Sequence, residues 1–471
     1  MTMGFQEAMD LVEYRYSFPE LPDFHNRRTA WLLERTGLKT APRVTVAGSM
    51  GKASTARLLA YVLRALGDTV VLGTKPPVLE THEGNLERYQ WLTGPSAGGG
   101  GDCRWLEPER FAEYVAELEP HLEHLPPGLG PWAPYDLRAW VLARMGSESG
   151  VDWLIQEANI GLRLDPTRAF GPPELLLLTR IGEEHYELLP APPELAASPL
   201  LHPPPPPSMG GLGRRAGPVW HKAGGAWPGV RVVLGHQDAN VEAACLELLD
   251  GSVARFGRDY WVDPIDSGLA GSSGRLHLFG QELDIRLRLL GRFQLDNAAQ
   301  AAAAAWLLRP EPATLDAIVT GLAEATSPGR LELLGDQNPP TLITVDGGTT
   351  KMAAAVHALE ELIPEGGTWV GLGTVMQRLP SPRDTLKALL SSPRLRVFVA
   401  TDYQGDTISP DVPADQLADW ARELRPDIQV LANRDPAQAL REARALAGPR
   451  ELVLAIGPGL GQALSLHRNQ S

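Results

Sequence analysis

Cysteine is nearly absent from this 471-residue chain, with only Cys103 and Cys245 present. Two thiols are too few for a disulfide framework and point to a reducing compartment. Aromatic residues make up just 6%. No stretch approaches about 18 uninterrupted apolar residues, which argues against a membrane-spanning helix. Positive charge is also short: 43 Lys and Arg stand against 57 Asp and Glu, a formal net charge of −14. Neutralising nucleic-acid phosphates takes clustered Lys and Arg, so a general nucleic-acid binder is excluded. A local basic pocket for a small anion is not. The opening MTMGFQEAMDLVEYRYSF has no basic start and mixes acids into its apolar residues, unlike a signal peptide. The expectation is a cytoplasmic monomer acting on small molecules, with no nucleic-acid or membrane partner.

What is present is an ordinary globular mixture, 43% hydrophobic and 21% charged. The length suggests about three domains, or two large ones. Arg43 to Ala47 reads as a short buried strand, β-branched and bounded by Pro42 and Gly48. A glycine turn follows, Gly48-Ser49-Met50-Gly51-Lys52. From Ala53 a helical rhythm begins, with Leu58, Leu59, Val62, Leu63 and Leu66 on one face. Gly67-Asp68 stops it, and Thr69 to Leu72 restarts a strand, which completes a βαβ unit. Further strands are read at Asp152 to Glu157, Glu174 to Thr179 and Val230 to Leu234. They are continuously apolar, as in a parallel sheet covered on both faces. Asp296 to Leu308 is an alanine-rich helix.

Beyond Ser327-Pro328 a second α/β rhythm starts, with strands at Thr341 to Val345, Thr368 to Leu372, Arg396 to Ala400 and Leu452 to Ile456. Lys351 to Leu362 and Ala414 to Leu424 read as helices between them. The proline run from Pro203 and the glycines to Gly213 read as an exposed, flexible insertion. Gly98 to Gly101 reads as a second mobile loop.

A strand entering a glycine turn, then Lys and small hydroxyl residues opening a helix, is how chains hold polyphosphate. Backbone N–H groups and the helix dipole face the anion, and Lys52 adds a full charge. Ser54 or Thr55 offers an oxygen to Mg²⁺. The strict pattern wants Gly where Val46 stands and Ser or Thr where Ala53 stands. Residues alone therefore leave two readings, a nucleotide site or a plain strand–helix turn with an exposed lysine.

The longer stretch VTVAGSMGKAST resembles the ATP loop of the Mur ligase superfamily. Within it, the loop looks most like the G-T-N-G-K-G-S of the folylpolyglutamate synthase/dihydrofolate synthase family, itself a shortened form. Ser49 stands for its Thr, Met50 for its Asn and Ala53 for its second-last Gly. The helix Phe5 to Tyr14 and the segment Arg27 to Gly37 are also similar in layout. Four further stretches match in order along the chain. Glu157-ANIGLRLDPT is similar to E-V-G-L-G-G-R-L-D-A-T, whose Glu binds Mg²⁺ in that family. Thr179-RIGEE-His185 is similar to T-x-I-G-x-D-H, whose His is a ligand of a second metal. Gly291-RFQLD-Asn297-AA resembles G-x-[HF]-[NQ]-x-x-N-A-A, whose last Asn contacts the nucleotide. Ser327-PG-Arg330-LE matches the P-G-R that puts an Arg on the phosphates. A further stretch, His221-Lys222-AGGAWPGVRVV, resembles one whose Lys is carbamylated into a metal ligand.

Each assignment has an alternative in the residues themselves. Glu157 is a metal ligand or a solvent-facing strand end, and His185 a ligand or a satisfied loop histidine. Arg330 is a phosphate contact or a surface ion pair, and Lys222 a ligand or a surface lysine. Gly457-PGL-Gly461 lacks nucleotide-loop spacing and reads as a turn.

Two departures fall on the substrate side. The family's D-G-A-H-N-P corresponds to Asp346-GG-Thr349-Thr350-Lys351, which keeps the Asp but replaces His and Asn. Its T-S-P-H-L loop corresponds to Thr74-Lys75-Pro76-Pro77-Val78, and Leu79 to Tyr89 reads as a charged hairpin. The resemblance implies an α/β protein with a parallel-sheet phosphate-loop ATP-binding domain over residues 1–326. A smaller Rossmann-like domain, residues 327–471, follows and closes over it.

The implied activity is ATP- and Mg²⁺-dependent ligation of an amino acid such as glutamate to a folate-like carboxylate through an acyl phosphate. Lys52, Glu157, His185 and Lys222 would be the catalytic set. Ser54, Glu157, His185 and Lys222 would be metal ligands. Gly48, Ser49, Gly51, Lys52, Ala53, Ser54, Thr55, Asn297, Arg330 and Asp346 would hold the nucleotide, and Thr74, Lys75 and Pro76 the substrate. The alternatives are a Mur-type or poly-γ-glutamate-type ligase with another acid, or a degenerate ATP-binding partner protein.

Overall fold

The computed structural model describes residues 3–16, 26–78, 81–94, 102–183, 189, 207–335, 338–345, 347–376, 381–402, 412–457 and 460. Eight strands build the first sheet: β1 (Arg43–Ala47), β2 (Val70–Gly73), β3 (Tyr89–Thr93), β4 (Asp102–Trp105), β5 (Trp153–Glu157), β6 (Leu175–Leu178), β7 (Val232–Leu234) and β8 (Val253–Arg255). Their spatial order is β4-β3-β2-β5-β1-β6-β7-β8. From β2 to β8 all neighbours run parallel, while β3 and β4 add an antiparallel edge. The central strands are apolar throughout because both faces are covered. Val44, Val46, Ile155, Leu175 and Leu177 point into one core with Leu59 and Val62 of the Lys52–Ala65 helix. Leu176 and Leu178 point the opposite way, towards Trp220 and Val241. That alternation is the two-residue period of a strand.

A three-stranded antiparallel sheet follows, β9 (Tyr260–Gly268), β10 (Gly271–Leu278) and β11 (Gln281–Leu287), in the order β11-β10-β9. Nothing in the strand reading above anticipates it. Its strands alternate buried and exposed residues instead of forming apolar runs, and one face meets solvent. The other face, through Val262, Leu276, Leu278, Ile285 and Leu287, shares a core with the Phe293–Leu308 helix. Alanines 301 to 305 of that helix are fully buried, and their small side chains let sheet and helix approach from both sides.

Six strands make the last sheet: β12 (Arg330–Leu333), β13 (Thr341–Thr344), β14 (Trp369–Gly373), β15 (Leu395–Ala400), β16 (Gln429–Ala432) and β17 (Leu452–Ile456), ordered β12-β13-β17-β14-β15-β16. Only β12 is antiparallel to its neighbour. Helix Thr349–Leu362 covers one face through Met352, Val356 and Leu359, packed with Leu342, Leu454 and Ile456.

Helix Arg27–Thr36 is tied to the first sheet's cover by a buried charge pair. Arg28 Nε donates to Asp136 Oδ2 at 2.6 Å, Thr29 Oγ1 donates to Asp136 Oδ1 at 2.6 Å, and the Ala133 amide donates at 3.1 Å.

Two loop expectations need correction. The stretch before Tyr89 is no hairpin, because Gly84–Arg88 is a 3₁₀ turn leading straight into β3, which pairs with β2. The Pro203 end of the insertion and the Gly98 to Gly101 run lie outside the described residues, but the insertion's far end is not a free loop. Met209 and Leu212 are buried against Trp220, Val241 and Cys245, because two large apolar side chains among the glycines anchor it.

Candidate active site

The glycine turn leaves β1 at the carboxyl edge of the parallel strands, the position where open α/β sheets bind ligands. Two of its glycines are dictated by contact as well as by dihedral angle. At Gly48, φ is +140° and a Cβ would lie 2.0 Å from Thr179 Oγ1 and 2.8 Å from the Thr179 carbonyl oxygen. At Gly51, φ is +83° and a Cβ would lie 2.3 Å from Asn297 Oδ1. The amides of Ser49 and Met50 both donate to the Arg180 carbonyl, at 2.9 and 3.1 Å. An anion is therefore met by the first turn of the Lys52–Ala65 helix rather than by the whole loop.

Lys52 is not the exposed lysine of a plain turn. It is 9% exposed, and its Nζ lies 3.3 Å from the Ser49 carbonyl and 3.8 Å from Glu157 Oε1. Glu157 ends β5 and is 8% exposed, so it is no solvent-facing strand end either. Its Oε2 accepts from the Lys75 amide at 2.9 Å. Ser54 faces the cavity, with its hydroxyl 3.4 Å from Ser327 Oγ across the junction with the last sheet. Thr55 is fully buried and turns inward, donating to Asn297 Oδ1 at 3.4 Å. Asn297 in turn donates to Gln294 Oε1 at 2.9 Å. Lys222 is 1% exposed, which sets aside the surface-lysine reading, and its Nζ donates to Ser49 Oγ at 2.7 Å.

Glu157 is followed by a loop whose hub is Asp165. This fully buried carboxylate accepts from the amides of Asn159 at 2.7 Å, Ile160 at 3.0 Å and Thr167 at 3.0 Å. Burial pushes its pKa up, and the amides pull the other way. Lys75 ties three parts together: its amide holds Glu157, its Nζ donates to the Asn159 carbonyl, and its carbonyl accepts from Arg330 Nη2 at 3.3 Å. Burial, then the neighbouring Lys52 ammonium, drives the Lys75 pKa well down.

Of these groups, Lys52, Ser54, Lys75, Glu157, Asn297 and Arg330 line a cavity of about 380 Å³ whose walls come from both large sheets' units. Lys52, Lys75, Arg180, Arg330 and Lys351 line it, against the carboxylates of Glu157 and Asp296 among the described residues. A chain of net charge −14 has thus concentrated cations in one cleft. Ala53 and Pro76 also line it, whereas Thr74 lines a smaller adjoining cavity that shares Lys75 and Glu157. The two candidate residues His185 and Asp346 lie outside the described residues.

Some cavity residues escaped the sequence reading. Gln294 is fully buried and presents Nε2 without a protein partner. It sits inside the quoted Asn297 motif, so the signal was available. His236, stacked on Phe256 at 5.0 Å and held by Asp296 at 3.1 Å, had no local signal. That hydrogen bond raises the imidazole's pKa.

The fold and site define a class: a phosphate-loop α/β unit facing a second α/β unit across a cationic cleft. Residues 329–459 match the family described as Mur ligase, glutamate ligase domain. A "Dihydrofolate synthase/folylpolyglutamate synthase" of Bacillus subtilis is 24% identical over 97% of this chain and 97% of its own. A "Probable bifunctional folylpolyglutamate synthase/dihydropteroate synthase" of Haloferax volcanii is 28% identical over 66% of this chain, which corresponds to 33% of that protein. The solved Mycobacterium tuberculosis folylpolyglutamate synthase complexed with ADP superposes with a TM-score of 0.76 at 22% identity, covering 98% of each chain. Residues 329–459 thus carry a Mur ligase C-terminal domain, and the curated relatives include folylpolyglutamate/dihydrofolate synthases as well as UDP-N-acetylmuramyl peptide ligases.

Proposed function

We propose that this protein is an ATP-dependent carboxylate–amine ligase that adds glutamate, or a similar amino acid, to a folate-like acid. The observation that carries the reading is the pairing of Lys52 with Glu157 at the mouth of the glycine turn, 3.8 Å apart, facing Arg330 across the cleft. A carboxylate does not react with an amine at neutral pH, so it must first acquire a leaving group. The substrate carboxylate oxygen attacks the γ-phosphorus and ADP leaves. The amine nitrogen then attacks the acyl carbon, phosphate departs, and the nitrogen gives up its proton.

Glu157 and Ser54 supply hard oxygen donors beside Lys52, and Mg²⁺ commonly uses one or two protein oxygens with phosphates and water completing its shell, so this donor set fits it. Bound there, the ion would neutralise charge on the phosphates. Lys52 balances charge on the transferring group, and Arg330 and Asn297 orient the nucleotide, with Asp346 assigned beside them. Lys222, as a carbamate, and His185 are assigned to a second cation. Thr74, Lys75 and Pro76 are assigned to the acid. Units 1–326 and 327–471 work as two domains of one cytoplasmic monomer, and their closure keeps water from the acyl phosphate.

The test is ADP release with dihydropteroate or tetrahydrofolate plus L-glutamate. Wild-type protein should release ADP only with both substrates present. Lys52→Ala should lower the rate by about a hundredfold or more. An unaffected rate would overturn the site assignment.

A further inference from the structure

Two hydroxyl pairs staple the segment entering β12 to the phosphate-loop helix. Ser54 and Tyr61 stand seven residues apart, two turns along one face of the Lys52–Ala65 helix. They meet consecutive residues of that segment: Ser54 Oγ lies 3.4 Å from Ser327 Oγ, and Tyr61 Oη lies 3.0 Å from Thr326 Oγ1. Ser54 and Ser327 are both buried, at 5% exposure each, so water competes little for their bond. The Ser327 main chain makes a second contact, its carbonyl accepting from the Arg330 amide at 3.2 Å. Pro328 and Gly329 are the corners of that turn, and Gly329 takes the positive φ of +63° that it requires. Through its two oxygens, one residue therefore touches both Ser54 and Arg330.

We propose that Ser327 is a positioning residue for the cation site: its Oγ accepts the Ser54 hydroxyl proton and so turns the Ser54 lone pairs towards Mg²⁺. This rests on the ligase reading above, which gives Ser54 and Glu157 to that ion. A hydroxyl that ligates a cation must send its proton elsewhere, and the cation makes that proton a stronger donor. Within a helix the ready acceptor is a carbonyl one turn back, which would hold the oxygen against its own helix. Ser327 offers a different acceptor from across the junction, and the Pro328-Gly329 turn keeps it there. The same turn fixes the Arg330 backbone, so a cation ligand and a phosphate contact from opposite units are set by one short segment. Ser327 acts through Ser54 and is not itself catalytic.

The experiment is calorimetric titration of a non-hydrolysable ATP analogue into the full-length protein, once with Mg²⁺ and once with EDTA. Wild-type protein should bind the analogue more tightly with Mg²⁺. Ser327→Ala should weaken binding with Mg²⁺ by about tenfold, as expected when a ligand loses its outer hydrogen bond, and leave binding in EDTA within about threefold. Thr326→Val removes the neighbouring pair on the same segment and should leave both titrations within about threefold of wild type. Equal losses with Mg²⁺ and with EDTA in Ser327→Ala would give the residue a purely structural role and overturn the proposal. Binding with Mg²⁺ unchanged in Ser327→Ala, the same loss in Thr326→Val, or a wild type indifferent to Mg²⁺ also overturns it. Failure of the ligase reading shows differently: the Mg²⁺ dependence and its loss in Ser327→Ala appear as described, yet no acid elicits ADP release.

Discussion

Replacing Gly51 by Ala tests whether the loop's shape, and not just its lysine, makes the anion site. Two costs can be read from the structure. An alanine at φ +83° costs about 1–2 kcal/mol relative to glycine. Its Cβ would also stand 2.3 Å from Asn297 Oδ1, so the Asn297 side chain must swing away. That breaks its bonds to Thr55 at 3.4 Å and Gln294 at 2.9 Å, worth about 1 kcal/mol together. The total of about 2–3 kcal/mol corresponds to roughly 30- to 150-fold in ATP affinity if the strain is borne by the bound conformation. Titration of a fluorescent ATP analogue measures it.

Asn297→Ala removes the obstructing oxygen together with a group assigned to the nucleotide, so the double variant should lose less affinity than the two single variants added together. Binding by Gly51→Ala within about threefold of wild type would refute this account of the turn.

Two further outcomes follow from other parts of the molecule. Asp136→Ala leaves the buried Arg28 guanidinium without its carboxylate, and denaturant melts should show a loss of about 3–5 kcal/mol; a loss under about 1 kcal/mol would contradict the role given to the pair. Glu451, held by Arg396 Nη2 at 2.6 Å, has its carboxyl pKa pulled down to about 2. Its stabilising contribution is therefore complete above the ordinary value of 4.5 and fades as pH falls towards about 2. Glu451→Gln should be less stable than wild type at pH 6, with the difference shrinking between pH 4.5 and about 2; an equal gap at all pH values would refute it.

Much of the fold was legible because the informative segments are locally consistent. β1 and β17 occur at the residues their apolar runs mark, and the Ala414–Leu424 helix likewise. The β9–β11 sheet was not legible, because half of each strand faces water and the other half reads as scattered apolar residues.

The glycine turn, its lysine and the order of the motifs are written in the linear chain, since each depends on neighbours a few positions away. Whether Lys52 and Lys222 are surface cations or buried groups could not be read there. Both answers depend on segments far apart in sequence: Lys52 meets Glu157, and Lys222 meets Ser49. The same holds for the cleft. Lys75 and Lys351 are distant along the chain and line one cavity only when two sheets pack with their strand ends facing it. Backbone conformation answers to local sequence, whereas burial and the meeting of charges answer to packing, and packing decided the chemistry here.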